Sequence, residues 1–224
     1  MQNNPNHTNN NVVLSTQKAY KALFTKVRNV ETHSADFVFY SKRIMRLLAE
    51  DAVAELPHDE VTIATPCAPS LPGLELLAED NVCAVSIIRA GDSLMESVRE
   101  ILPRCKIGKI LIQRDESSKE KKPKLFYVKL PKNIKEMHVI LCDPMLATGG
   151  SAVAALEVLI EQYGVAPDKV IFANVISCPE GIEHLKRVYP LVKIVTACVD
   201  ECLNEEMYIV PGLGDYGDRF FNSL

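Results

Sequence analysis

The 224-residue sequence lacks any apolar stretch near the ~18 residues that a membrane-spanning helix needs, so no transmembrane span is expected. Its first residues show no basic region followed by an apolar one, so no secretory signal is expected and the cytoplasm is the default compartment. Positive charge is not in excess: the formal net charge is -4, which gives no global reason to expect a nucleic-acid partner. Two phosphate-binding patterns are missing. Gly150 is not followed by lysine, so there is no Walker loop, and no GxGxxG follows a strand, which excludes a Rossmann dinucleotide site. The seven cysteines are odd in number, and Cys198 and Cys202 form a CxxxC without a partner pair, poor spacing for zinc. Reduced, buried thiols are the expected state. There is no internal repeat, no obvious catalytic histidine, and no carboxylate pair at a spacing suited to acid–base work.

What is present is ordinary for a folded domain: 47% hydrophobic and 24% charged residues. Residues 1–11 (MQNNPNHTNNN) are polar and asparagine-rich, which predicts a disordered tail ahead of a single domain over 12–224. Residues 16–28 and 35–56 carry apolar side chains at helical spacing, the second stretch ending at Pro57. Strand-length apolar runs then alternate with helices. Strands are predicted at 82–88, 109–113, 124–130, 139–142, 169–176 and 192–199, and helices at 93–102, 151–163 and 181–188. This alternation means an α/β fold around a mostly parallel central sheet flanked by helices. Ligands in such sheets bind beyond the carboxyl ends of the strands, so the loops after Ile88, Gln113, Cys142 and Val199 matter most.

The most informative segment is Val139–Ser151, VILCDPMLATGGS. It reads as a strand, the acidic Asp143, a short loop, and then Ala147-Thr148-Gly149-Gly150-Ser151 opening a helix. Glycines let the backbone approach an anion, and free N–H groups at a helix start favour one. Asp143 can accept hydrogen bonds from sugar hydroxyls beside that anion. A plain strand–turn–helix joint is the simpler alternative. A second segment, IIRAGDS at 87–93, puts Arg89 beside Ala90-Gly91 in a tight turn that could hold a diphosphate. A third places Arg114 at a strand end, before a basic stretch over 117–124 that should be mobile. The fourth, YIVPGLGDYGDRFF at 208–221, is apolar and glycine-patterned, unlike a frayed terminus.

VILCDPMLATGGS resembles the phosphoribosyl pyrophosphate (PRPP) motif of phosphoribosyltransferases, and the 208–221 segment resembles the uracil-binding signature of the uracil branch. The likeness runs from about Val12 to Leu224, with PCAPSLPGLELLAE at 66–79 matching less well. It implies the phosphoribosyltransferase fold with a small hood subdomain and a flexible β-hairpin arm. It also implies conversion of uracil and PRPP to UMP and pyrophosphate. PRPP would be held by Arg89, Ala90, Gly91, Arg114, Asp143, Pro144, Met145, Leu146, Ala147, Thr148, Gly149, Gly150, Ser151 and Asp215. Uracil would meet Ile209, Gly214, Asp215 and Tyr216. Asp143, Arg89 and Asp215 would carry the catalysis. Pro144 stands where many relatives have a second acidic residue, which leaves Mg2+ held mainly by PRPP itself, with help from Asp215. Asp218 and Arg219 read as structural partners.

Family members also form homodimers or homotetramers, and some eukaryotic ones respond to GTP. Lys18, Lys21 and Arg28 are the basic residues that could hold that nucleotide, against the plainer reading of a solvated helix face. The rival to enzymatic function is a catalytically silent, regulatory module that keeps the fold and binds nucleotide.

Overall fold

The computed structural model describes residues 11–114 and 123–223. Strand β1 (Val12–Leu14) leads into helices α1 (Tyr20–Arg28) and α2 (Ser34–Ala54), followed by strands β2 (His58–Thr65) and β3 (Ala68–Leu76). Next come β4 (Val82–Ile88), α3 (Gly91–Ile101), β5 (Lys106–Arg114), β6 (Pro123–Lys129), β7 (His138–Cys142), the short β8 (Met145–Leu146) and α4 (Gly150–Glu157). The last third holds β9 (Val170–Asn174), β10 (Ile176–Ser177), α5 (Pro179–Val188), β11 (Lys193–Thr196), β12 (Cys202–Leu203), β13 (Ile209–Val210) and α6 (Tyr216–Phe221).

Seven strands form one sheet in the order β1-β11-β9-β7-β4-β5-β6, with every pairing parallel except that of β6 with β5. Both faces are covered, which is why the strands read as unbroken apolar runs. In β4, Val82 and Ala84 face one side, packing in a core with Leu48 of α2 and Leu94 and Val98 of α3. Cys83 and Val85 face the other, in a core with Ala155 of α4 and Leu185 of α5. Neighbouring strands keep the same alternation, Ile140 joining the first core and Val139 and Leu141 the second. The sheet is thereby fixed in register, and its carboxyl edge is fixed with it.

The predicted α/β architecture is observed, with changes at element ends. The first helix starts at Tyr20 rather than at 16. The helix expected over 151–163 opens at Gly150 and finishes in a π turn over Val158–Gln162. The strand expected over 169–176 breaks after Asn174, because Val175 and Ile176 both donate backbone bonds to the Pro144 carbonyl, and β10 pairs with β8 instead of continuing the sheet. The strand expected over 192–199 stops at Thr196. Not foreseen were the edge strand β1, the antiparallel β2–β3 hairpin, which pairs His58 with Leu76 through Thr65 with Ala68, and, in the C-terminal segment, the short β12–β13 pair and α6. The mobile stretch expected at 117–124 falls mostly outside the described residues, as does most of the predicted tail; Asn11, its last residue, donates its side-chain amide to Pro190 O at 2.8 Å.

The cysteines divide differently from the expectation of general burial. All seven are free; Cys83, Cys142 and Cys178 are buried, Cys105 and Cys198 half-buried, and Cys67 and Cys202 exposed. Among the described residues, no helix is long and apolar enough to cross a membrane.

Candidate functional site

At the carboxyl edge of the sheet the chain leaves a cleft of about 620 Å³. Its lining comes from three stretches far apart in sequence: Arg89 and Ala90 after β4, Asp143 and the run from Met145 through Ala152 after β7, and the C-terminal residues Glu206–Ile209 and Gly214–Gly217; Gly91 and Pro144, also expected to meet PRPP, are not part of this lining. The two motifs on which the sequence reading rests therefore face each other across one space.

The floor is the β7–α4 turn. Gly149 caps α4 with φ at 79°, a left-handed conformation that costs a side-chain-bearing residue free energy and glycine little. The first residues of α4, Gly150, Ser151 and Ala152, line the cleft at the end where a helix leaves its N–H groups unpaired. The Thr148 hydroxyl accepts from Gly150 N at 3.4 Å, and His184 of α5 lies 2.8 Å from the Thr148 carbonyl through Nδ1. His184 thus ties that carbonyl, and with it the turn, to α5. It was missed because nothing links it to the turn in sequence.

Asp143 stands at the end of β7. Its side chain accepts from Met145 N at 3.4 Å, which fixes its direction. Burial pushes its carboxyl up to about 7, and that one backbone bond only partly offsets the effect. The group is a desolvated acid that a nearby positive charge would stabilise.

The wall opposite begins with the Arg89 loop. The Ile88–Arg89 peptide is cis, a point the sequence could not reveal. Gly91 packs this loop directly onto the end of β7: a Cβ there would sit 2.2 Å from the Cys142 carbonyl oxygen. Arg114 ends β5 in register with Pro123, and its side chain lies outside the described part of the structure.

The third wall is the C-terminal segment. A turn at 204–208, organised by Asn204 Oδ1 accepting from Glu206 N and Tyr208 N at 3.1 and 2.8 Å, brings Glu206, Met207 and Tyr208 to the cleft. These three were also missed. Ile209 is buried in β13, and Gly214, Asp215 and Tyr216 follow along the wall. Asp215 is exposed and caps α6, its Oδ1 accepting from Asp218 N at 2.8 Å. Tyr216 offers the cleft its backbone rather than its ring. The ring is 2% exposed, packed 5.4 Å from Phe37 and 5.6 Å from Phe220, with its hydroxyl on Met45 Sδ.

An ion pair holds this wall to the fold from behind. Arg28, at the end of α1, donates to both carboxylate oxygens of Asp200, at 2.7 and 2.6 Å, and to the Gly212 carbonyl at 2.7 Å. Asp200 accepts in turn from Gly212 N at 2.7 Å. Burial would raise the Asp200 carboxyl, but the Arg28 bonds and the Gly212 amide outweigh it and hold the group below the usual carboxylate range. Arg28 is therefore engaged with Asp200 and this C-terminal wall, while Lys18 and Lys21 are exposed. Arg219 adds a second tie, donating to the Val27 and Leu213 carbonyls at 2.6 and 2.7 Å.

A family model described as uracil phosphoribosyltransferase matches residues 13–223. A uracil phosphoribosyltransferase of Dictyostelium discoideum is 47% identical over 96% of this chain and 97% of its own. Among solved structures, the AQ2163 protein of Aquifex aeolicus superposes with a TM-score of 0.79 at 29% identity, over 94% of this chain and 97% of that one. The adenine phosphoribosyltransferase of Trypanosoma brucei shares the fold, with a TM-score of 0.54 at 15% identity over 92% of this chain and 88% of its own.

Proposed function

The chain belongs to the uracil phosphoribosyltransferase family, and from that premise we propose that its cleft joins uracil to the ribosyl group of PRPP, giving UMP and pyrophosphate. The observation that carries this reading is the shared cleft: a phosphate-type turn after β7 and a glycine-rich wall with exposed main chain lie within one nucleotide-sized space. Incubation with uracil, PRPP and Mg2+ should yield UMP and pyrophosphate in equal amounts, with adenine, hypoxanthine and orotate inactive. Turnover of one of those bases instead of uracil would overturn the base assignment.

The transition state of ribosyl transfer carries positive charge on the sugar, as in other glycosyl transfers. The Ser151 amide, with that of Gly150 shared with the Thr148 hydroxyl, fixes the 5-phosphate at the start of α4. Asp143, held at the cleft floor, takes the ribose hydroxyls and offsets the charge that develops beside it. Arg89 and its loop, with Arg114, stabilise the departing diphosphate. Main-chain groups from Ile209 to Tyr216 read the alternating donors and acceptors of the uracil edge, so a base with another pattern leaves buried polar groups unpaired. Catalysis is then positioning and electrostatics rather than proton shuttling.

Oxygen donors at Asp143 and Asp215 suit Mg2+, and neither carboxylate is ion-paired to a lysine or arginine among the described residues. When bound, the metal neutralises the diphosphate. PRPP itself would hold most of the metal's coordination, with Asp215 the residue that would assist. Homo-oligomer formation, a cytoplasmic location and a GTP response belong to the same reading, the last without a free Arg28.

His184→Ala tests the turn. Loss of one hydrogen bond of about 1 kcal/mol should raise KM for PRPP by roughly fivefold and leave KM for uracil unchanged. Equal changes in both constants would mean that His184 serves the fold generally.

A further inference from the structure

Arg89 reaches across the cleft mouth to the C-terminal helix. Its Nη2 donates to Asp218 Oδ1 at 2.8 Å and its Nη1 to Ser223 Oγ at 3.0 Å. Ser223 donates to the same Asp218 oxygen at 2.9 Å, closing a ring of three contacts. The Phe221 ring lies 5.3 Å from the guanidinium carbon. The arginine of one wall is therefore cradled on two sides by α6, the element capped by Asp215 of the other wall.

An exposed ion pair of this kind contributes little to folding, and Arg89 and Asp218 are 50% and 36% exposed at their side chains. Its value lies in direction. A free arginine side chain samples many rotamers, and fixing one before the ligand arrives removes that ordering cost from binding. We propose that Asp218 is a positioning residue: through Ser223 and Phe221 it holds the Arg89 guanidinium with its remaining N–H groups turned to the substrate's diphosphate, so that the C-terminal helix serves the diphosphate half of the site as well as the base half. This rests on the functional reading above for the identity of the diphosphate.

The test is a double-mutant cycle on the full chain, with wild type, Asp218→Asn, Arg89→Ala and the pair. Binding of pyrophosphate with Mg2+ is read by calorimetry, and KM for each substrate by initial rates. Asp218→Asn should weaken pyrophosphate binding and raise KM for PRPP by about 5–10-fold, with melting temperature and KM for uracil unmoved. In the Arg89→Ala background the same change should do nothing further. Asp218→Glu should restore part of the loss. Additive effects, tighter pyrophosphate binding by Asp218→Asn, or a joint fall in melting temperature and in both substrate affinities would each overturn the proposal. Coupled pyrophosphate binding in a protein that forms no UMP would support the positioning role while removing the uracil reading. A wild type that binds no pyrophosphate would remove both.

Discussion

Asp143→Asn is expected to lower kcat by roughly 10²–10³-fold and, at the same time, to stabilise the ligand-free protein at pH 8. The two effects share one cause. Burial lifts the Asp143 carboxyl to about 7, well above the ordinary carboxylate value of about 3.9. The folded state thus holds the proton more tightly than the unfolded chain does. The stability this confers is complete below about pH 4 and declines as pH rises towards 7, where the folded group must ionise inside its pocket. Asparagine keeps the shape and abolishes that decline. Above pH 7 the variant should gain roughly 1–2 kcal/mol, a value reduced by the water that reaches a partly open cleft. Melting curves of both proteins from pH 4 to 8, beside steady-state kinetics, check the pair of effects. A variant with near-normal kcat would remove Asp143 from the mechanism, and parallel melting curves would show that burial does not raise its pKa.

The second large effect is expected at Asp200. Alanine there leaves the Arg28 guanidinium without its carboxylate and strips Gly212 N of its acceptor. Breaking a buried pair by removing one partner costs about 3–5 kcal/mol, and Arg28, 23% exposed, brings this towards the lower figure. The held carboxylate also gives the fold a pH dependence of the opposite sign to that of Asp143. Its stabilisation is present above the unfolded carboxylate value and is lost as pH falls through the depressed folded one. The functional consequence should be selective. Gly212 lies between Ile209 and Gly214, so KM for uracil should rise at least tenfold (on the order of 1.4 kcal/mol) while KM for PRPP changes little. Unchanged uracil affinity in a folded Asp200→Ala protein would show that the wall keeps its shape without this tie.

Much of this arrangement is legible in the sequence, and the reasons are local. VILCDPMLATGGS and YIVPGLGDYGDRFF state their chemistry within a dozen residues each, because a strand end, a glycine turn and a helix start are contiguous events. What escapes is of three kinds. β1 is three residues long, too short for alternation to register, and becomes a strand only because β11 offers its edge. The β2–β3 hairpin is masked by Pro66, Pro69 and Pro72, which argue against a strand; in a two-stranded ribbon, outward-facing positions need no ladder N–H and tolerate them. The long-range ties are illegible in principle. Arg28 and Asp200 lie 172 residues apart and Arg89 and Asp218 lie 129 apart, and no periodicity connects them. For the same reason the Arg28 guanidinium, which belonged in the sequence to a basic helix face, belongs in the fold to Asp200 and the Gly212 carbonyl. Tyr216 is the converse: its place on the cleft follows from the motif, but its ring packs between Phe37 of α2 and Phe220 of α6.

The uneven placing of the cysteines has a practical use. Burial pushes the thiols of Cys83, Cys142 and Cys178 up, so all three resist ionisation as well as access. A maleimide dye offered to the native protein then has two open targets, Cys67 at the hairpin tip and Cys202, whose strand pairs with Val210 beside the base wall. With Cys67 and the half-buried Cys105 and Cys198 replaced by serine, a single fluorophore at Cys202 would report on the C-terminal wall of the cleft during turnover.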